Sequence, residues 1–83
     1  MLVLARRQGE SLKIGDDIEI IVKEITSSHV DLRINDSEDI TIDRFESKVI
    51  ADGIKITVKK IKGTQARLSV NAPESMKVDR EDE

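Results

Sequence analysis

Residues 18–34 of the 83-residue chain, IEIIVKEITSSHVDLRI, decide the fold. Aliphatic and polar residues alternate on both sides of Thr26-Ser27-Ser28, and alternation with a period of two around a short polar break is typical of a β-hairpin. A helix would need apolar residues at three- and four-residue spacing, and this segment has no sustained stripe of that kind. Residues 54–70, IKITVKKIKGTQARLSV, repeat the pattern around Lys62-Gly63-Thr64. We therefore predict two hairpins in an all-β fold.

The two hairpins belong to an internal repeat with an offset of 36 residues. Residues 9–44 align with residues 45–80 without a gap and are identical at 14 positions. These are Glu10, Ser11, Ile14, Asp16, Ile18, Ile20, Val22, Lys23, Ile25, Leu32, Asn35, Glu38, Asp43 and Arg44, each with its counterpart 36 residues later. Aliphatic strands can match by chance, but the shared Glu-Ser and Asp-Arg pairs favour a true repeat. We expect residues 1–44 to form a first copy and residues 45–83 a second copy, together making one compact domain.

The second copy lacks an opening strand of its own. Residues 1–8 precede the first copy, and the repeat places Ile40-Thr41-Ile42-Asp43-Arg44, the last strand of the first copy, where a second opening strand would lie. The pattern predicts about nine short strands and little or no helix, although residues 45–50 could form two helical turns. The unfilled position could remain an open edge, be filled by residues 40–44, or be filled by another molecule.

The composition argues against several classes of protein. The chain has no Cys, one His and one aromatic residue, so disulfides and thiolate chemistry are excluded. The apolar N-terminal run is too short for a signal peptide or a membrane span, which predicts a cytoplasmic protein with no membrane partner. His29 has no partner at metal-ligand spacing, and no residues form an acid/base constellation. We therefore expect no metal, no cofactor and no enzymatic activity.

The charge is unevenly distributed along the chain. The net charge is −3, which lowers the expectation of tight nonspecific binding to nucleic acid. Residues 1–44 carry 6 Lys and Arg against 10 Asp and Glu, whereas residues 45–83 carry 8 against 7. Because phosphates meet local patches rather than the net charge, a nucleic-acid partner is not excluded.

Residues 1–18, MLVLARRQGESLKIGDDI, combine a Leu-rich strand, a basic pair, Gly-Glu-Ser and Ile-Gly-Asp. In this they resemble the opening of the CsrA/RsmA family of RNA-binding post-transcriptional regulators. Residues 63–73, GTQARLSVNAP, and residues 78–81, VDRE, are similar to its closing hairpin, Ala-Pro loop and final strand. The resemblance implies interleaved antiparallel strands in a small barrel or sandwich, with the first strand of one half beside the last strand of the other.

The resemblance also implies an RNA partner, an mRNA leader or a small regulatory RNA with GGA in an exposed loop, and regulation of translation or mRNA stability. The residues carried over as RNA-binding are Leu4, Arg6, Arg7, Ala72, Pro73, Val78 and Arg80. Unpaired loops expose base edges, and Arg at strand ends can contact phosphates, so these residue types suit the task.

The first copy departs from the family pattern. Asn35-Asp36-Ser37 replaces Asn-Ala-Pro, Glu38-Asp39 makes the loop acidic, and Asp31 stands where the second copy has Arg67. Asp43 and Asp79 occupy a position where relatives often carry His. We expect one competent RNA surface in a pseudo-dimeric monomer or a homodimer, with Arg44 paired to nearby carboxylates. The alternative is a protein-interaction module that kept the fold and lost RNA binding; there Arg6-Arg7 would be a solvated strand end and Ala72-Pro73 only a turn.

Overall fold

The computed structural model describes residues 2–51 and 53–73 together with the backbone of residues 78–79. The strands are β1 (Leu2–Arg7), β2 (Ser11–Ile14), β3 (Ile18–Ile25), β4 (His29–Ile34), β5 (Glu38–Asp43), β6 (Ser47–Ala51), β7 (Ile54–Lys62), β8 (Gln65–Asn71) and β9 (Val78–Asp79). No helix occurs in this part of the chain, so none there could span a bilayer. The helical alternative for residues 45–50 is wrong, since most of that run forms β6.

The strands form two antiparallel sheets. The four-stranded sheet has the order β1-β8-β7-β6, and the five-stranded sheet has the order β5-β4-β3-β2-β9. Alternate residues from both sheets point inward and are buried in one aliphatic core, with Ile20, Leu32, Ile56 and Leu68 among the fully buried side chains. The predicted all-β sandwich with little or no helix is confirmed.

The repeat is preserved in the strand pairing. Leu2 of β1 pairs with Val70 of β8, and Glu38 of β5 pairs with Ile34 of β4. Glu38 is the repeat counterpart of Leu2, and Ile34 is the counterpart of Val70, so the two pairings have the same register. The β3–β4 hairpin has a bulge after Val22, and the β7–β8 hairpin has one after Val58. The two copies therefore share one overall strand-pairing pattern, although the β6–β7 pair has a further bulge after Val49 that the β2–β3 pair lacks. In this pattern β5 occupies the place of a second opening strand.

A difference in turn chemistry explains why β5 lies there. Asn35 and Asp36 have positive φ values of 52° and 59°, and the Ser37 N–H donates to Ile34 O at 3.1 Å, which closes the β4–β5 hairpin. Asn and Asp tolerate this conformation. In the second copy Ala72 and Pro73 stand in the places of Asp36 and Ser37, and Pro73 has no N–H to donate. After β8 the chain therefore leaves the four-stranded sheet and pairs in the other sheet as β9.

The unfilled strand position consequently lies beside β6, not beside β4. β9 pairs with β2 through Lys13–Asp79 and Ile14–Val78. Shifting that pairing by 36 residues would place β5 against β6, but β5 is already used beside β4. Within the described residues, β7 is the strand that pairs with β6, so its other side is an edge. The sequence left three possibilities for the missing opening strand of the second copy. The structure has the second of them, because most of residues 40–44 lie in β5, which pairs with β4 as β1 pairs with β8.

Candidate nucleic-acid interface

The described segments that carry residues from the family resemblance lie toward one side of the sandwich. β1 is the edge strand of the four-stranded sheet, and β9 is the edge strand of the five-stranded sheet. A short turn joins β1 to β2, the neighbour of β9, and the Ala72-Pro73 segment follows β8, the neighbour of β1. We call β1, Ala72-Pro73 and β9 the edge surface.

Two of the predicted contact residues have buried side chains. Leu4 is 3% exposed and belongs to the core, and Arg6 is 6% exposed. Arg6 Nε donates to Ala5 O at 2.8 Å, and Arg6 Nη1 donates to Ser11 O at 3.2 Å. Ser11 lies in β2, so the guanidinium bridges the two sheets beneath the edge surface, with Glu10 Oε1 3.8 Å from its Nε. Arg6 thus has a structural role whether or not it contacts a ligand.

Arg7 is the exposed cation of β1. Its backbone N–H donates to Glu10 Oε1 at 2.7 Å, and the Glu10 N–H donates to Arg7 O at 3.0 Å. These bonds fix the turn after β1 and leave the Arg7 side chain on the outer face of the sheet. Of the predicted residues on β1, Arg7 is the one positioned to meet an anion directly.

The Ala72-Pro73 segment packs against the turn between β6 and β7. Ala72 is half-buried against the core, whereas Pro73 is exposed. Gly53 in that turn has φ +74°, and a Cβ placed on it would lie 3.3 Å from Pro73 Cγ. The absence of a side chain at Gly53 therefore lets Pro73 approach closely. The backbone of Val78 pairs with Ile14, but the Val78 side chain and Arg80 lie outside the described residues.

A shallow pocket that sequence reasoning did not predict adjoins the edge surface. It has a volume of about 200 Å³ and is lined by Ala5, Lys60, Lys62, Gln65 and Arg67. Its residues come from β1, β7 and β8, so no contiguous sequence motif predicts it. A signal was present in the comparison of the two copies, where Arg67 corresponds to Asp31.

The corresponding positions of the first copy do not form an equal surface. Ile42 is fully buried, and the Arg44 guanidinium lies 5.3 Å from the centroid of the Phe45 ring. Among the described residues Arg44 forms this contact and not the ion pair that was expected for it. On the outer face nearby, Arg33 Nε donates to Asp39 Oδ1 at 2.9 Å, and Lys23 Nζ lies 3.3 Å from Asp39 Oδ2. The hydrogen bond from Arg33 lowers the pKa of Asp39, and the same bond raises the pKa of Arg33.

His29 has neighbours that its sequence spacing did not reveal. One ligand atom each from Glu24, His29 and Asp31 lies within 4.8 Å of the others, because β3 and β4 pair at this point. His29 Nδ1 is also 3.1 Å from Thr26 Oγ1, and His29 Nε2 is 3.8 Å from Asp31 Oδ1. Hydrogen bonding within the strand pair accounts for this arrangement, and we assign no metal to it.

Comparison with known proteins gives a consistent match. A sequence model of the CsrA global regulator protein family matches twice, over residues 1–48 and 44–82. Translational regulator CsrA of Syntrophomonas wolfei is 44% identical over 48 residues, 58% of this chain and 63% of that protein. Those of Clostridium acetobutylicum and Hydrogenovibrio crunogenus are 46% and 52% identical over 46 residues, 55% of this chain and 63% and 66% of theirs. The chain thus matches less than two thirds of each relative's length. No solved structure matches it.

Proposed function

The chain belongs to the CsrA family of global regulators, with the family's core strands partly duplicated, and we propose that it is an RNA-binding regulator of translation or mRNA stability. Its proposed ligand is a GGA element in the exposed loop of an mRNA leader or a small regulatory RNA. The relatives that it matches are named translational regulators, which supports this class of function.

The observation that carries the proposal is the convergence at the edge surface. The strand order brings the opening strand of the first copy and the Ala72-Pro73 segment of the second copy to the same side of the sandwich. Edge strands present unpaired backbone groups, and unpaired RNA bases present complementary edges. Arg7 and the exposed Pro73 supply a cation and an apolar contact beside them. Leu4 and Arg6 hold β1 in place from beneath, and Val78 and Arg80 complete the proposed surface.

We further propose that the chain has one competent surface. The counterpart surface would be built from β5 and the open side of β6. There Asp43 takes the place of Arg7, and the Asn35-Asp36-Ser37 turn takes the place of the Ala-Pro loop. Carboxylates repel phosphates, so this side is expected to bind RNA poorly.

The decisive experiment compares arginines at the same repeat position. Arg80→Ala removes a cation that we propose completes the edge surface, and Arg44→Ala removes its counterpart in the first copy. In gel-shift titrations with a GGA hairpin, we expect Arg80→Ala to weaken binding about tenfold, the effect of losing roughly 1.4 kcal/mol of a charge-assisted contact, and Arg44→Ala to change it less than twofold. Equal losses would refute the single-surface proposal.

The runner-up is a protein-interaction module, favoured by the open side of β6, where Val49 is 69% exposed. An exposed strand edge can accept a strand from another chain. A salt titration separates the two functions, because electrostatic attraction to RNA is strongest at low salt. Absence of saturable binding to the GGA hairpin at low salt would favour the interaction module.

A further inference from the structure

The outer face of the four-stranded sheet carries an unpaired group of cations next to the edge surface. Strand register places Arg7, Gln65 and Lys62 in one row across β1, β8 and β7, and Ala5, Arg67 and Lys60 in the next row. All four cations are exposed. Within the described residues, none of them forms an ion pair through its side chain. We call Arg7, Lys60, Lys62 and Arg67 the basic face.

On the described strands no acidic residue faces outward beside the basic face; the acidic Glu10, in the turn after β1, accepts the backbone N–H of Arg7. Positions that face outward from this sheet alongside the cations hold Val3, Ala5, Ser47, Val49, Thr57, Gln65, the buried Ser69, and Asn71. Two further cations lie there, Lys55 and Lys59, the latter exposed at the bulge of β7. Neighbouring strands lie about 5 Å apart, so the cations span roughly 10 Å from β1 to β7. Ala5, which has a small side chain, lines the pocket between these cations.

The charge is reversed at three of the four corresponding positions in the first copy. The counterparts 36 residues away are Asp43 for Arg7, Glu24 for Lys60, Asp31 for Arg67 and Thr26 for Lys62. On that side the exposed Lys23 and the half-buried Arg33 are both paired with Asp39. The fold therefore accepts either charge at these positions, and nothing in strand pairing requires cations on the basic face.

Lys60 and Arg67 are also direct cross-strand partners. Like charges opposite each other in a sheet are unfavourable, so the pair repels unless an anion lies between or above the two side chains. A chain of phosphates matches a row of separated cations better than a single anion does, and releases counterions when it binds. β1 belongs to both the edge surface and the basic face, with Arg7 at their junction.

We propose that the basic face binds the phosphate backbone of the RNA whose loop occupies the edge surface, an inference that rests on the proposed RNA-binding function. The edge surface reads the bases, and Lys60, Lys62 and Arg67 hold the flanking backbone. Phosphate contacts position a nucleic acid and contribute affinity without sequence preference. RNA is the better partner than an acidic protein surface because the face continues into the edge surface.

The test uses Lys60→Ala combined with Arg67→Ala and two RNA hairpins with the same stem. One carries GGA in its loop, and the other carries CCU instead. We expect the double variant to bind both hairpins about tenfold more weakly at moderate salt. The slope of log K against log salt should become shallower by about 1.4, from two lost contacts at roughly 0.7 each for single-stranded RNA. Discrimination between the hairpins should be unchanged. The single variant Lys62→Gln should reduce the slope by about half as much.

Lys23→Ala combined with Arg33→Ala is the matched control, because it removes the same two residue types from the opposite face. We expect it to leave affinity and slope unchanged. The melting temperature of the Lys60/Arg67 variant should not fall, since the substitution relieves repulsion; a fall would indicate a structural role and overturn the inference.

The outcomes separate the inference from the proposed function. Unchanged affinity and slope in the Lys60/Arg67 variant, with wild-type discrimination intact, would overturn the inference and leave the proposed function standing. A shallower salt slope in the Lys60/Arg67 variant, with a wild-type protein that binds the GGA and CCU hairpins equally well, would support the basic face and refute GGA recognition. The wild-type protein could instead have twice the monomer mass at low salt, with the Lys60/Arg67 variant returning to the monomer mass. If the slope of log K against log salt for RNA were also unchanged in that variant, the basic face would bind another copy of the chain, and the inference would be overturned.

Discussion

Residue 45 shows how the repeat imposes one backbone conformation on two different side chains. Gly9 has φ +92°, and Phe45, its counterpart, has φ +70°. The two residues donate equivalent backbone hydrogen bonds, from Gly9 N to Val22 O at 2.7 Å and from Phe45 N to Val58 O at 2.8 Å. Glycine adopts positive φ without penalty, whereas a Cβ makes it unfavourable. Phe45 therefore keeps a strained conformation because the turn's hydrogen bonds require it.

This strain predicts the order of stability of two variants at position 45. Phe45→Gly and Phe45→Ala both remove the ring and its contact with Arg44, so their difference isolates the backbone. We expect the glycine variant to have the higher free energy of unfolding by about 1 kcal/mol, measured by urea denaturation. Gly9→Ala should lower the free energy of unfolding of the wild-type protein by a similar amount. If Phe45→Ala equals or exceeds Phe45→Gly in stability, the turn does not hold a positive φ at this position.

At the scale of elements, the β4–β5 hairpin determines where the last strand of the first copy lies. Its turn needs positive φ at Asn35 and Asp36 and a donor at Ser37. Asn35 also binds β3, because Glu19 N donates to Asn35 Oδ1 and Asn35 N donates to Glu19 O, both at 2.9 Å. Thr41 Oγ1 donates to Asp31 Oδ1 at 2.6 Å between the two strands of the hairpin. These local bonds keep β5 on the five-stranded sheet.

Giving this turn the residues of the second copy should release β5. Asp36→Ala combined with Ser37→Pro places a Cβ at positive φ without polar support and removes the N–H that closes the turn. We expect the free energy of unfolding to fall by about 2 kcal/mol and the amides of β5 to lose protection from hydrogen exchange. Asp36→Gly is the control, because it keeps the donor and suits the backbone. Retained protection of β5 in the double variant would mean that core burial of Ile42 alone holds the strand.

At the scale of the whole molecule, one chain supplies both layers of the sandwich. Leu12, Ile14 and Val30 of the five-stranded sheet and Ile54 and Val70 of the four-stranded sheet are buried in the same core. Burial of apolar surface is the main favourable contribution to folding, and here it is satisfied within the chain. A second molecule is therefore not needed to cover either sheet.

We accordingly predict a monomer. Sedimentation velocity should give a mass near 9.3 kDa that does not change with concentration. Val49→Lys is the matched test of the open side of β6, because a charged residue discourages strand addition at an edge. A wild-type mass near twice the predicted value, returning to the monomer value in Val49→Lys, would show instead that a strand from another copy fills the position beside β6.

Sequence patterns located the strands well and the site residues less well. The hairpins predicted over residues 18–34 and 54–70 are present, because alternation directly reports which side chains can be buried. The first turn is as predicted, and the second is shorter because Lys62 still belongs to β7. Alternation puts Arg6 on the same face of β1 as Leu4, but it does not show that a guanidinium can be buried there, because one of its acceptors, Ser11 O, lies in the other sheet. Sequence patterns did not predict the basic face, because its cations come from three strands. They also did not predict the Glu24–His29–Asp31 group, because strand pairing brings together residues whose spacing in the sequence is not that of metal ligands.

The sequence by itself determined the all-β class, the repeat and the family, because these depend on periodicity and on residue identities that can be compared along the chain. Only the tertiary structure decided that β5 lies beside β4 and that the open edge lies beside β6. It also decided that the cations of the second copy collect on one face. The physical reason is that neighbours across a sheet are set by turn geometry and strand register, which bring together residues far apart in the chain.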